Sequence, residues 1–368
     1  MIGAMGLGLA FGGSAPLVSL AERSVAPIQL HLAAGWGVPA ADASAVYFLT
    51  RDHRLVSVDQ VSGRVRWQAR LASDGAMTAG SAVVLGASVV VAGDFDLFGF
   101  DAGSGVRRWR FSPAVGYGVG IYVGAIVGDV VFTGSPSGWI YAIDTTDGRL
   151  RWMTMVGGEK VTVFPPTSVS GGVAAGYTEF GAGVRTSGVA LFDRDDGRLK
   201  WRTTFPSTPD RSVSFAGGPI AVDDLIVAAA SDGTVYALDG RSGKVRWTVA
   251  PELASGEDFR PLTLSGRTLI VGSLSGTLTA IDVDSHRERW RRAMVEEGSV
   301  AFGIRSDGQS VYVPYASGRV IAVGIAAGDE LWRAAGRGCR FEWPPALTND
   351  RIFLTSEDGL YVLPKSIR

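Results

Sequence analysis

The residues of this 368-residue chain whose chemistry suits nucleophilic catalysis or zinc binding are three histidines and one cysteine. They are His31, His53, His286 and Cys339, and they lie far apart in the sequence. A catalytic triad or a zinc site needs such groups within hydrogen-bonding or coordination distance. His53 and His286 fall in predicted turns and His31 on a predicted outer strand, so the pattern predicts solvated turn histidines. A single cysteine also excludes an intramolecular disulfide.

Three acidic clusters, at residues 94–96, 193–196 and 223–224, are the segments that could bind calcium through carboxylate oxygens. Asp193 occupies a position that recurs along the whole chain, and the other two clusters lie at predicted hairpin tips. Aspartate is common at such tips because its side chain accepts hydrogen bonds from nearby backbone N–H groups. We therefore expect turns at these clusters and no metal site.

The recurring element is Asp-x-x-x-Gly-x-x-x-Trp, which occurs seven times with two single-residue lapses. His286 replaces the glycine in one copy, and Gly324 replaces the aspartate in another. Successive tryptophans are 42, 43, 49, 46, 43 and 42 residues apart, a period typical of one small unit repeated side by side. The repeated tryptophans are Trp67, Trp109, Trp152, Trp201, Trp247, Trp290 and Trp332.

Each copy predicts a β-hairpin, as in residues 234–249, where an alternating strand precedes the aspartate and a second strand carries the tryptophan. The aspartate caps the turn, and glycine supplies the positive φ that the turn requires. Two further apolar segments precede each hairpin. Four short strands in about 43 residues are typical of a propeller blade. The tryptophans at a fixed offset then form the packing between blades and do not form a ligand box.

The repeat resembles the pyrroloquinoline-quinone-type (PQQ-like) propeller repeat. The resemblance rests on the Asp-x-x-x-Gly-x-x-x-Trp unit and on the strand before it, as in residues 138–144 and 233–239. It covers roughly residues 34–363 and implies an all-β fold. The repeat occurs in quinone-dependent dehydrogenases, in the propeller subunit of the outer-membrane assembly machinery, and in bacterial sensors and scaffolds.

The resemblance implies a non-enzymatic protein-interaction scaffold without a cofactor, most like the assembly-machinery propeller. Dehydrogenases with this repeat are usually longer, bind calcium or a lanthanide ion, and often carry a disulfide between adjacent cysteines. Cys339 alone cannot form that disulfide, and no loop supplies a clear carboxylate cluster. A PQQ-dependent dehydrogenase and a small-ligand sensor remain the alternatives.

The two ends of the chain are predicted to complete one blade together. The last repeat, residues 345–363, stops before any turn and tryptophan strand, and residues 27–33 resemble the missing outer strand. Pairing these segments would close the ring and hide both open edges. The sequence therefore predicts one domain over residues 27–368, an eight-bladed β-propeller of four-stranded antiparallel blades, preceded by a separate lead over residues 1–26.

Residues 1–21 carry no charge and have the apolar, small-residue character of a signal peptide without its basic start. They predict either a signal peptide shortened at its start, and so an extracytoplasmic protein, periplasmic or secreted, or a Gly-rich disordered lead. No cysteine directly follows the segment, so a lipid anchor is not supported, and its many glycines disfavour a membrane span. The net charge of −1 gives no support for a nucleic-acid partner.

The loops that enter the predicted first strands of the later blades carry arginines and aromatics where small residues are expected. We predict that they converge on one asymmetric mouth that binds a protein segment or a small polar ligand, with Arg260 and Arg340 as anchors and Trp343 as the apolar floor. The alternatives are solvated loop charges above a packed aromatic collar, and a site on the long hairpin at 177–187. The candidate residues are Arg211, Phe215, Glu257, Phe259, Arg260, Arg340, Phe341 and Trp343.

Overall fold

Eight antiparallel sheets follow one another around a ring, which confirms the predicted eight-bladed propeller. The computed structural model describes residues 24–25, 28–30, 37–71, 80–93, 95–114, 123–158, 160–180, 185–207, 213–215, 217–250, 259–336 and 339–365. In seven blades the first strand contacts the first strand of a neighbouring blade, and in blade 3 the backbone N–H of Ala125, next to the first strand, donates to the carbonyl of Pro166 at 2.8 Å, so the first strands lie nearest the axis. No helix within these ranges is long and apolar enough to cross a membrane.

The strands of each blade are given in order from the axis to the rim. Blade 1 comprises Ala40–Ala41, Ala45–Leu49, Arg54–Asp59 and Val65–Arg70, and blade 2 comprises Gly80–Leu85, Ser88–Gly93, Asp96–Asp101 and Arg107–Phe111. Blade 3 comprises Ile126–Val127, Val130–Gly134, Trp139–Asp144 and Leu150–Met155. Blade 4 has a first strand in two parts, Val161–Val163 and Thr167–Val169, followed by Gly172–Phe180, Arg185–Phe192 and Leu199–Pro206. Blade 5 comprises Ile220–Val222, Leu225–Ala229, Val235–Asp239 and Val245–Val249, and blade 6 comprises Phe259–Ser265, Thr268–Ser273, Thr277–Asp282 and Arg287–Ala293. Blade 7 comprises Arg305–Ser306, Ser310–Pro314, Arg319–Gly324 and Glu330–Ala335. Blade 8 comprises Ala346–Leu347, Arg351–Ser356, Gly359–Pro364 and Ile28–Leu30.

The N-terminal strand Ile28–Leu30 pairs antiparallel with Gly359–Pro364 and is the outermost strand of blade 8. This pairing confirms the predicted closure of the ring. Ser24–Val25 adds a short parallel strand to the rim of blade 7, against Glu330–Ala335, which the repeat pattern did not predict. The N-terminal segment therefore bridges the outer edges of two neighbouring blades.

The two faces of the ring are built from different connections. The turn face carries the Asp-x-x-x-Gly turns and the turns between first and second strands. In blade 3, a hydrogen bond joins these two kinds of turn, because the backbone N–H of Thr145 donates to the carbonyl of Asp129 at 2.7 Å. The loop face carries the connections between blades and those between second and third strands. There the N–H of Val156 donates to the carbonyl of Gly138 at 2.8 Å.

The repeat tryptophans join each blade to the next through their indole N–H groups. The glycine of the following turn lies directly beneath the ring, so a Cβ added at Gly105 would meet Trp67 at 2.4 Å. The position therefore requires glycine for two reasons: a side chain would clash with the tryptophan ring, and the backbone has a φ of 72°. Six tryptophans donate to a carbonyl of the next blade: Trp67 to Ala102 (3.0 Å), Trp109 to Thr145 (2.8 Å), Trp152 to Arg194 (2.9 Å), Trp201 to Gly240 (3.1 Å), Trp290 to Ile325 (2.7 Å) and Trp332 to Lys365 (3.2 Å).

Trp247 is the exception, and the lapse at His286 explains it. His286 occupies the glycine position with a φ of 57°, and its ring stacks on Trp247 at 4.8 Å. The Nε1 of Trp247 is buried and has no hydrogen-bond partner in the described part of the chain. The side chain of His286 therefore replaces the hydrogen bond between blades 5 and 6 with a ring stack.

The turn aspartates form ion pairs that the sequence analysis missed. Asp239 accepts backbone hydrogen bonds from Arg241 and Ser242, and its second oxygen faces Arg246 at 2.8 Å. Arginine or lysine stands seven residues after the aspartate in six of the seven repeats. In blade 7, Gly324 and Leu331 replace both partners at once, so neither charge is left alone.

These turns make the stability of the protein sensitive to acid. Hydrogen bonds donated within each turn, and then the facing arginine or lysine, lower the pKa of Asp101 and Asp239 from 3.8 to about 2. Because the folded pKa is below the unfolded one, the stabilisation is complete above pH 4 and is lost as the pH falls towards 2. We expect the melting temperature to drop over this range, and to drop less in an Asp101→Asn/Asp239→Asn double variant. Equal losses in the two proteins, measured by circular dichroism, would contradict this account.

Candidate protein-interaction face

Exposed aromatic side chains lie on the loop face. Phe95, Phe180 and Phe302 are 58%, 46% and 51% exposed, and all three lie in or next to loops of that face. The large apolar side chains exposed on the turn face within the described ranges are aliphatic, Val61 and Val106 among them. Because aromatic residues are enriched in protein interfaces, the loop face is the better candidate for partner binding.

One group of side chains on this face joins blades 7 and 8. The ring of Phe302 lies 5.7 Å from the ring of Trp343, and the backbone N–H of Phe302 donates to the carbonyl of Glu342 at 3.0 Å. Arg340 is exposed, and its carbonyl accepts a 3.0 Å hydrogen bond from the hydroxyl of Ser356. We call Phe302, Arg340 and Trp343 the blade 7–8 patch. It combines an exposed ring, an exposed arginine and a largely buried indole on two loops that a backbone hydrogen bond joins.

Two of the aromatic candidates lie in the core below the surface. Phe341 is 1% exposed and meets Tyr361 edge to face at 5.2 Å. Phe215 is also 1% exposed and packs against Phe205 and Tyr236. The expectation that these side chains contact a partner directly does not fit their burial, which repetition alone could not reveal. They can only support the loops from below.

The remaining candidates lie wholly or partly outside the described residues. Arg211 and Glu257 lie outside the described residues. Phe259 and Arg260 begin the first strand of blade 6, and only the course of their backbone is described. Of the predicted mouth residues whose side chains are described, Arg340 is exposed and Trp343 is buried beneath Phe302, and the mouth as a binding site stays a prediction.

A buried carboxylate fixes the loop that leads to Phe302. Glu297 lies in the short 3₁₀ helix Val295–Glu297, and its side chain is fully buried. It pairs with Arg319 at 2.6 Å and with Arg333 at 3.6 Å, and it accepts a hydrogen bond from Ser317 at 3.0 Å. A buried charge held by several donors favours a single loop conformation. The sequence analysis missed this network, whose one signal is an acidic pair in an interblade loop.

The long hairpin of blade 4 also extends from the loop face. Strands Gly172–Phe180 and Arg185–Phe192 pair from Val173 to Phe180, beyond the length of the other blades. At the root of the extension, the Arg202 guanidinium stacks over the ring of Tyr177 at 4.4 Å and pairs with Glu179 at 3.1 Å. The hairpin is therefore stiffened on its outer side and remains the second candidate for contact.

The groups considered for catalysis and metal binding stand in structural roles. His53 and His286 are turn residues with positive φ, and Cys339 is buried in the core. Asp223 pairs with Arg267, and Asp96 pairs with Arg110 at 2.7 Å. His31 and Asp94 are outside the described ranges. Within those ranges, no three histidine, cysteine, aspartate or glutamate side chains are grouped so that they could hold a metal ion.

Comparisons with known proteins agree with the repeat and the fold. The outer membrane protein assembly factor BamB of Yersinia pestis is 25% identical over 259 residues, or 65% of this chain and 62% of that protein, so the match spans less than two thirds of that relative. The structure of BamB from Moraxella catarrhalis has a TM-score of 0.69 at 18% identity, covering 93% of this chain and 98% of that chain. A europium-containing methanol dehydrogenase has a TM-score of 0.70 at 14% identity, covering 90% and 84%. At such identities, the similarity of these two structures to this chain shows a common fold and nothing more.

The family described as outer membrane protein assembly factor BamB matches this chain in four overlapping stretches. They are residues 18–175, 99–257, 185–340 and 274–363, and together they cover every blade. The match includes all seven turn-and-tryptophan repeats on which the ring is built. This chain therefore belongs to the outer membrane protein assembly factor BamB family.

Proposed function

We propose that this protein is a non-enzymatic, extracytoplasmic scaffold of outer-membrane protein assembly, and that it binds a protein segment on its loop face. The observation that carries the proposal is the blade 7–8 patch, where an exposed ring and an exposed guanidinium lie on a backbone fixed by hydrogen bonds. Family membership supports the assembly role, because the matching family and relatives about 25% identical carry that name.

The chemistry of the patch suits an extended polypeptide. Phe302 offers apolar area, and Arg340 can donate to carbonyl or carboxylate groups, while the indole of Trp343 supports the ring from below. Glu297 holds the preceding loop in place before binding, so little ordering entropy is lost on association. These features favour a specific protein contact over nonspecific hydrophobic association.

The proposal predicts that a Phe302→Ala/Arg340→Ala variant folds normally but binds its partner about 5- to 150-fold more weakly, which corresponds to about 1–3 kcal/mol. The measurement is affinity for the assembly protein found by photocrosslinking at position 302 in cells of the source bacterium. Val106→Ala, at an exposed site on the turn face, is the matched control and should leave affinity unchanged.

Crosslinks from position 106 but not from position 302 would move the site to the turn face. Unchanged affinity of the folded double variant would move it elsewhere on the loop face, with the 177–187 hairpin first. Reduction of a dye by protein supplied with PQQ and calcium would instead support the dehydrogenase alternative.

A further inference from the structure

Arg305 stands on the first strand of blade 7, where the other blades carry small or neutral side chains. It pairs with Tyr312 of the second strand. The residues at the same register on the other seven first strands are all uncharged. They are Ala40, Val83, Ala125, Thr167, Ile220, Thr263 and Ala346.

The surroundings of Arg305 place its side chain within the axial channel. The residue is exposed to solvent, yet desolvation by the surrounding protein lowers its pKa. The first strands of a propeller surround a central channel, so an exposed side chain on a first strand faces that channel. One guanidinium thus stands in a layer that is otherwise neutral.

No carboxylate of the described residues neutralises this charge. The nearest acidic residue in sequence, Asp307, is already bonded to the hydroxyl of Tyr312 at 2.7 Å and faces Lys365 at 3.6 Å. In blade 1, Asp42 occupies the position equivalent to Asp307 and is likewise bonded to a tyrosine hydroxyl, that of Tyr47, at 2.7 Å. A partly desolvated cation with no carboxylate partner among the described residues favours an anion that compensates it.

We propose that the axial channel binds a small oxyanion, with the guanidinium of Arg305 as its principal ligand. The planar fork of arginine bonds two oxygens of a carboxylate or a phosphate at once. Thr263 stands at the same register on the neighbouring blade 6, and a hydroxyl there is suited to supplement the guanidinium. The site is separate from the blade 7–8 patch and does not depend on the scaffold role.

The test is isothermal titration of the full chain, first dialysed into chloride buffer, with inorganic phosphate and separately with succinate at constant ionic strength. We expect one equivalent of at least one probe to bind, and binding to weaken at least tenfold in Arg305→Gln. The two probes distinguish a phosphate source from a carboxylate source. Arg64→Gln, which removes an exposed guanidinium from the turn face, should bind like the wild type.

Lack of binding of both probes up to about 10 mM, a very weak affinity, would overturn the proposal. Equal affinity in wild type and Arg305→Gln would overturn it as well, because the anion would then bind elsewhere. If Arg305→Gln does not fold, Arg305→Lys keeps the charge and loses the fork, so weakened binding by that variant supports the site and unchanged binding refutes it.

Discussion

Deletion of residues 1–34 is expected to lower the melting temperature by at least about 10 °C, because it removes the strand that closes the ring. Without Ile28–Leu30, the outer edge of Gly359–Pro364 has no pairing partner. Each lost backbone hydrogen bond costs about 0.5–1.5 kcal/mol. The buried side chains of Leu360 and Tyr361 would also gain contact with water on that edge. Thermal melts followed by circular dichroism measure the effect.

Shorter deletions provide the controls. Deleting residues 1–21 leaves both N-terminal strands and should change the melting temperature little, whereas deleting residues 1–26 also removes the Ser24–Val25 strand on blade 7. We therefore expect the loss of stability to increase in that order. Equal melting temperatures after removal of 1–21 and 1–34 would show that closure does not depend on this pairing. If the longest deletion does not fold, Gln29→Pro in the full chain weakens the same strand.

Trp109→Ala is expected to destabilise the protein by roughly 3–5 kcal/mol, the usual cost of truncating a large aromatic side chain in a core. Trp109 is 7% exposed, donates to the carbonyl of Thr145 at 2.8 Å and lies against Gly148 of the next blade. The truncation would open a cavity between blades 2 and 3 and leave that carbonyl without its donor. Urea unfolding gives the free energy, and a loss below about 1 kcal/mol would contradict the packing role.

The lapse at His286 supplies a matched comparison. Trp247→Ala should cost about 1 kcal/mol less than Trp109→Ala, since no indole hydrogen bond is lost. His286→Gly should instead allow the ring of Trp247 to approach the next turn as Trp201 does, and so stabilise the protein slightly. Gly243→His is the reverse change and should destabilise it, because a Cβ there meets Trp201 at 2.5 Å. Equal effects of the two exchanges would refute this account of the repeat.

The fold could be predicted because its determinants are local and repeated. The turn aspartate, the glycine and the tryptophan recur at fixed spacing, so each copy corroborates the others, and the incomplete last repeat indicated the closure by residues 27–33. The salt bridge to the residue before each tryptophan was equally regular and could have been found from its coincident loss at Gly324 and Leu331. The parallel strand Ser24–Val25 had no repeated counterpart to predict it.

The candidate site could be predicted only in part, because it depends on loops that differ from blade to blade. Arg340, Phe341 and Trp343 all stand where small residues are expected. That difference in residue type does not show how deeply each side chain is buried. Phe302 directly precedes Gly303 at the entry to the first strand of blade 7, and its residue type does not indicate that its side chain is exposed. Arg305 lies within that strand, whereas the mouth is predicted in the loops that enter the first strands.

The closing strand also affects how the chain folds. Its residues pair with partners roughly 330 positions away, the most distant strand pairing among the described residues. The chain therefore loses the entropy of closing a long loop before the pairing stabilises it. Contacts of such high sequence separation form slowly, whereas each blade hairpin forms from neighbours. During synthesis the first seven blades can assemble while their terminal edges stay open. The pairing that completes the finished ring therefore sets a late step of folding, and until it forms the new chain is exposed to edge-to-edge aggregation.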